Sequence, residues 1–224
     1  ADVFIEAGRI IRNRAKSYDE LDYVERAEKI AELFATFKNP DKETVLTPWR
    51  VVNLQLSKTI GGLSYYDDEY KYMTNDGLVA RHWVDIPSAK EVFSITSKIL
   101  DVETKTGLYS LYVAASLYYQ RCARWKCDAS GKFNQNILRW ESSKHLDEEL
   151  VLEDILQNNI YFLANTPMAK TIARRTLVGY KNLQANILYV ENLSSKLKNS
   201  IAVTSREIAE GFSQMKFDVV IGNP

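Results

Sequence analysis

Leu21, Val24, Ala27, Ile30, Ala31 and Phe34 fall three or four positions apart, the spacing that lays one apolar stripe along a helix. This pattern predicts helices over 2–18 and 20–37, closed by Asn39-Pro40-Asp41. Thr47-Pro48 predicts a further helix start, with Pro where its missing N–H is not needed, and Val51, Val52, Leu54 and Leu56 follow. Gly61-Gly62 ends that helix, and residues 63–90, rich in Tyr and Asp, show no clear period.

From 91 onward the rhythm changes to strand, loop, helix. The run "SKILDVETKTG" predicts a short strand entering a turn, and 108–125 a long helix with Leu108, Leu111, Tyr112, Ala115 and Tyr119 on one face. Residues 126–157 are polar, acidic over 147–154, and read as an insertion. "NIYFLAN" is a second strand. Thr166-Pro167 caps a helix carrying Ala169, Ile172, Ala173, Thr176 and Leu177, and Gly179 stops it. "ANILYVEN" and "FDVVIGNP" are the third and fourth strands. Strands alternating with helices predict an α/β fold with a parallel, doubly wound sheet over 45–224, preceded by a helical connector over 1–44. Ligands of such sheets bind beyond the carboxyl ends of the strands. Those ends carry Asp101, Ala164-Asn165, Glu191-Asn192 and Asn223-Pro224.

Composition narrows the picture only a little. At 224 residues and 46% hydrophobic the chain can bury a real core. Its 29 basic residues balance 29 acidic ones, so net charge gives no argument for nucleic acid. No apolar run approaches the ~18 residues of a membrane span, and the charged start is not a secretory signal. Two cysteines, Cys122 and Cys127, make no disulfide framework, and a cytoplasmic home is expected. His82 and His145 lack companions at ligand spacing, so no metal is expected. Lys170, Arg174, Arg175 and Lys181 read as a solvated helix face before a DNA contact, and the Tyr-rich stretches at 65–72 and 109–119 as core.

Three motifs, in order, carry a resemblance. Thr47-Pro48 with Val51-Val52, then "ILDVETKTG", then Ile221-Gly222-Asn223-Pro224 are similar to the Thr-Pro segment, the cofactor loop and the first half of the Asn-Pro-Pro-Tyr motif of DNA adenine methyltransferases. The order is that of the family's gamma arrangement. The phrases "VLTPWRVVN" and "KTGLYSLYVAASLYY" resemble large restriction–modification polypeptides that join nuclease and methylase. The resemblance implies a Rossmann-like methyltransferase sheet, here incomplete, and S-adenosylmethionine as cofactor. It implies cofactor contacts at Thr47, Asp101, Glu103, Thr106, Gly107, Asn165, Glu191 and Asn192. The expected partners are double-stranded DNA with a flipped adenine and the remaining domains of the same polypeptide, with no membrane. Two departures stand out: Lys105 replaces the loop's first glycine, and Asn165 stands where the family offers a ribose-binding acid.

The resemblance assigns catalysis to Asn223 and Pro224. The exocyclic amine of adenine is a poor nucleophile because its lone pair is delocalised into the ring. An amide oxygen and a backbone carbonyl can accept its two N–H bonds, orient the nitrogen and stabilise the charge that develops. The base must first leave the stack. The family's next residues, Pro-Tyr, and the later strands are not in this sequence, so it reads as part of a larger enzyme, inactive alone. Two other functions stay open: methylation of a protein glutamine, whose amide poses the same chemical problem, and a scaffold that keeps the fold without the chemistry.

Overall fold

The computed structural model describes residues 2–37, 46–74, 81–123 and 148–222. The N-terminal part holds α1 (Asp2–Ser17), α2 (Tyr23–Ala35) and α3 (Trp49–Thr59), then an antiparallel ribbon of β1 (Gly62–Ser64) and β2 (His82–Val84). A 3-10 stretch, Pro87–Phe93, leads into the main sheet. Its strands are β3 (Ile99–Thr104), β4 (Ile160–Ala164), β5 (Asn186–Tyr189) and β6 (Val219–Gly222). All pair in parallel, in the order β5-β4-β3-β6. The helices between them are α4 (Leu108–Tyr118), α5 (Glu148–Asn158), α6 (Pro167–Val178), α7 (Leu193–Asn199) and α8 (Ile201–Gly211).

The central strands β3 and β4 are buried on both faces, as their unbroken apolar runs require, while the edge strands β5 and β6 are partly open, with Tyr189 and Val220 exposed. Ile99, Ile160 and Phe162 join one core with α2, α3, α4, α5 and α6. Their neighbours Leu100, Tyr161 and Leu163 point the other way, into a second core closed by Leu193 of α7 and Ile208 of α8. Tyr161, Phe212 and Phe217 meet edge to face there. Helix α4 sits in the middle of the first core with every residue from Leu108 to Tyr118 buried. The expectation of one apolar face was therefore too narrow: this helix is apolar all round because it is covered all round.

Two boundaries expected from sequence are redrawn. The predicted connector over 1–44 divides. Helix α1 is largely exposed, with Ile5 and Ile10 open to solvent, whereas Tyr23, Val24, Ala27, Ile30 and Ala31 of α2 belong to the sheet's own core. Arg26 donates to the carbonyls of Arg175 (3.0 Å) and Thr176 (2.8 Å), and the Tyr23 hydroxyl to that of Leu177 (2.7 Å). The last turn of α6 thus has its orphan carbonyls satisfied by α2. Asp19 completes the arrangement, pairing with Arg26 at 2.9 Å and accepting from the Tyr180 N–H. The predicted insertion over 126–157 also shrinks. Residues 126–147 lie outside the described part, but α5 buries Val151, Leu152, Ile155 and Leu156 against the core. Its acidic face hid the apolar stripe, and one of those acids, Asp154, is itself buried and bonded to Arg121 at 3.1 Å.

Candidate functional site

From β3 the chain moves outward to β4 and β5, then returns to place β6 on the other side of β3. The switch point of this sheet therefore lies between the carboxyl ends of β3 and β6, the position where ligands bind in open α/β sheets. Val102 of β3 pairs with Gly222 of β6. Gly222 has φ of 144°, and a Cβ there would meet the Val102 carbonyl oxygen at 2.5 Å. Only glycine lets the two strands close up at this point. Asn223 and Pro224 come next in sequence and lie outside the described residues.

On the β3 side the strand runs into a tight loop over 104–107. The Thr104 hydroxyl accepts from the Gly107 N–H at 2.9 Å. Gly107 takes φ of 79° and opens α4; a Cβ on it would sit 3.0 Å from Ala173 Cα of α6. Asp101, beneath the loop, is 2% exposed. Its carboxylate accepts from the Ser110 hydroxyl at 2.6 Å and from the Ser110 N–H at 3.2 Å. Burial pushes its pKa up to about 7, against the opposing pull of the bonds from Ser110 and Thr104. The Tyr109 hydroxyl donates to the Gln55 side chain, which ties α4 to α3.

Thr47, Asp101, Thr104, Lys105, Thr106 and Tyr109 line a narrow crevice at this edge. Beside it, sharing Thr47 and Thr106, opens a cavity of about 600 Å³. Phe34 of α2 and Phe37 just beyond its end form one wall, and Trp49, Tyr66 and Met73 add apolar and aromatic surface. Arg50 brings a charge to the rim, and the Trp49 indole N–H is buried with no hydrogen-bond partner among the described residues. The volume and lining are those of a small-molecule site.

Of the residues expected to contact a cofactor, Thr47, Asp101 and Thr106 meet at this crevice, and Gly107 follows directly. Asp101 differs from expectation: it lies within β3 rather than at its end, and its acceptor capacity faces α4. Glu103 belongs to β3, with its side chain outside the described part. Asn165 is half-buried after β4, while Glu191 and Asn192 are exposed after β5. None of these three lines the crevice or the cavity. Asn192, at φ 53°, is the left-handed residue that precedes α7. Sequence reasoning missed Thr104, Ser110 and Tyr109. Thr104 had a local signal, a hydroxyl three residues before a helix-opening glycine. Ser110 had none, since its partner is nine positions away.

Among the described residues no group of three or more His, Cys, Asp or Glu side chains gathers in a way that could hold a metal. Among the same residues no helix is long and apolar enough to cross a membrane. Two members of the basic cluster are spent on their own neighbourhood. Arg174 donates to the Leu183 carbonyl, and Arg175 donates to that of Gly179 and lies 4.2 Å from the Tyr180 ring centroid.

Residues 158–224 match the family model described as Eco57I restriction-modification methylase. The match supports a restriction–modification methylase region over this stretch, from β4 to the end of the chain. The match leaves out β3, its loop and all the N-terminal helices. No curated protein matches the chain.

Proposed function

We propose that this chain is part of a restriction–modification enzyme that methylates the exocyclic amine of adenine in DNA, using S-adenosylmethionine. The observation that carries the proposal is the contact of Gly222 with Val102 at the switch point. It puts the residue before Asn223 beside the strand that leads into the loop. The family match over 158–224 supports the methylase part independently.

The residues at the crevice fit one end of the cofactor by their chemistry. The hydroxyls of Thr47 and Thr106 and the ammonium of Lys105 suit a carboxylate, and the aromatic cavity beside them suits an apolar or planar group. Asn165 offers a ribose only a neutral amide. When bound, the cofactor supplies an electrophilic methyl group. The work of this chain's residues is orientation. The Asn223 amide oxygen and the Pro224 carbonyl accept the two amine N–H bonds of the adenine. As the amine becomes more acidic during transfer, those bonds strengthen, so the contact acts on the transition state more than on the ground state. DNA and the remaining domains of the polypeptide are the partners this reading requires.

A scaffold that has kept the fold is the second reading, favoured by Lys105 in place of glycine and by the absence of an acid at Asn165. Single-turnover transfer of labelled methyl to an adenine-containing duplex, by the intact polypeptide, separates the two. Asn223→Ala is expected to lower the rate about a hundred- to a thousandfold with cofactor binding retained, by comparison with loss of one oxyanion-hole donor. Asn223→Asp is expected to be milder because a carboxylate still accepts. Unchanged turnover in Asn223→Ala removes the catalytic assignment, and no transfer by the wild type favours the scaffold.

A further inference from the structure

We infer that Asp101 is a positioning residue that acts through Ser110, supplying from the neighbouring strand the N-terminal cap that α4 cannot make for itself. The need for it starts at Gly107. This residue is the cap position of α4, makes no side-chain cap and is held at φ of 79°. The positive φ and the close approach of Ala173, 3.0 Å from where a Cβ would sit, both disfavour a larger residue there. As glycine, the cap position cannot accept from the first-turn N–H groups that a Ser, Thr or Asp would satisfy. Ser110 is the third residue of the helix, the position whose N–H a cap side chain takes. Here Asp101 takes it, at 3.2 Å, and holds the Ser110 hydroxyl at 2.6 Å as well.

The carboxylate also faces the positive end of the helix. Thr104 closes the other half of the turn by accepting from Gly107. Two side chains from β3 thereby fix both ends of the loop over 104–107, where the family's usual first glycine is replaced by Lys105. With its carboxylate turned to Ser110 and only 2% of its surface exposed, Asp101 affects the cofactor by holding Thr106 and Gly107 in place.

This inference rests on the methyltransferase reading for its effect on the cofactor, but not for its effect on the loop. The experiment therefore has two arms, on the intact polypeptide. In the first, amide hydrogen exchange is followed at residues 106–110 without ligand, in wild type, Asp101→Ala, Ser110→Ala and Ser110→Thr. Faster exchange confined to this loop in Ser110→Ala, restored in Ser110→Thr, is the expected result. In the second, affinity for S-adenosylhomocysteine is titrated in the same proteins and in the double variant. Asp101→Ala, which removes the cap, is expected to weaken it about two- to thirtyfold, and Ser110→Ala, which loses only the hydroxyl bond, is expected to weaken it less. The double variant should be no worse than the weaker single one.

Additive losses, or a loss in Asp101→Ala with loop exchange unchanged, would overturn the inference in favour of direct contact. Unchanged exchange in Ser110→Ala would overturn it as well. Wild-type protein that shows the loop effect but no affinity for S-adenosylhomocysteine would sink the methyltransferase reading and leave the positioning role standing.

Discussion

The turns after β3 and β4 stand side by side at one edge of the sheet and start their helices differently. After β4, Thr166 caps α6 from the adjacent position: its hydroxyl accepts from the Ala169 N–H at 3.0 Å, and Pro167 fills the first helical place. After β3, Gly107 holds the cap position without a side chain, and Asp101 reaches Ser110 from within the strand. The first turn is complete in four consecutive residues. The second has no cap until strand, loop and helix have come together. A local cap is robust but fixed in place. A borrowed cap couples the loop to the core and, because its carboxylate is buried, to pH.

The largest test of this contrast is the pH dependence of stability. Burial raises the Asp101 pKa to about 7, above the about 3.9 of an unfolded aspartate. The folded protein therefore holds this proton more tightly than the unfolded chain. The resulting stabilisation is present in full below the unfolded value and is lost as pH rises through about 7. Between pH 5 and pH 8, wild type is expected to lose more stability than Asp101→Asn, by at most about 3 kcal/mol. Urea denaturation at both pH values checks this, and parallel slopes would dissociate the buried acid from the loop.

Next in size is Gly107→Ala. A left-handed backbone costs a residue with a side chain about 1–2 kcal/mol, and the new methyl would press on Ala173 of α6 at 3.0 Å. A loss of about 2–3 kcal/mol is expected by the same denaturation. A loss well under about 1 kcal/mol would show that α6 moves away easily and that glycine is not forced there.

The smallest effect belongs to the local cap. Thr166→Ala should cost about 1 kcal/mol and leave hydrogen exchange in the loop over 104–107 unchanged. Spread of the change into that loop would mean that the two turns are coupled across the sheet, and the contrast between them would weaken.

Legibility followed the range of the interactions. The start of α6 at Thr166-Pro167 and its stop at Gly179 were readable because cap, proline and left-handed glycine are neighbours in sequence. The four strands were readable because short continuous apolar runs between helices suit a parallel sheet, whose central strand β4 is covered on both faces. Helix α5 was missed because an acidic face drew attention from Val151, Leu152, Ile155 and Leu156, at helical spacing. The burial of α2 was underestimated for another reason. An amphipathic stripe says that a helix packs on something, and leaves open what.

In the site, Thr47, Asp101, Thr106 and Gly107 were each flagged by residue type and by place at a strand or helix end. Their gathering is a property of the fold. The local sequence decides what adjacent residues can do for one another: Thr166 caps, Gly179 turns, Thr104 waits three positions before Gly107. Folding decides the rest, because it sets which distant groups meet without water between them. Ala173 favours Gly107, Val102 makes Gly222 necessary, and the burial of Ser110 makes Asp101 a cap. Each is a contact across 9 to 120 positions of chain, whose energy appears only when the sheet and its helices close.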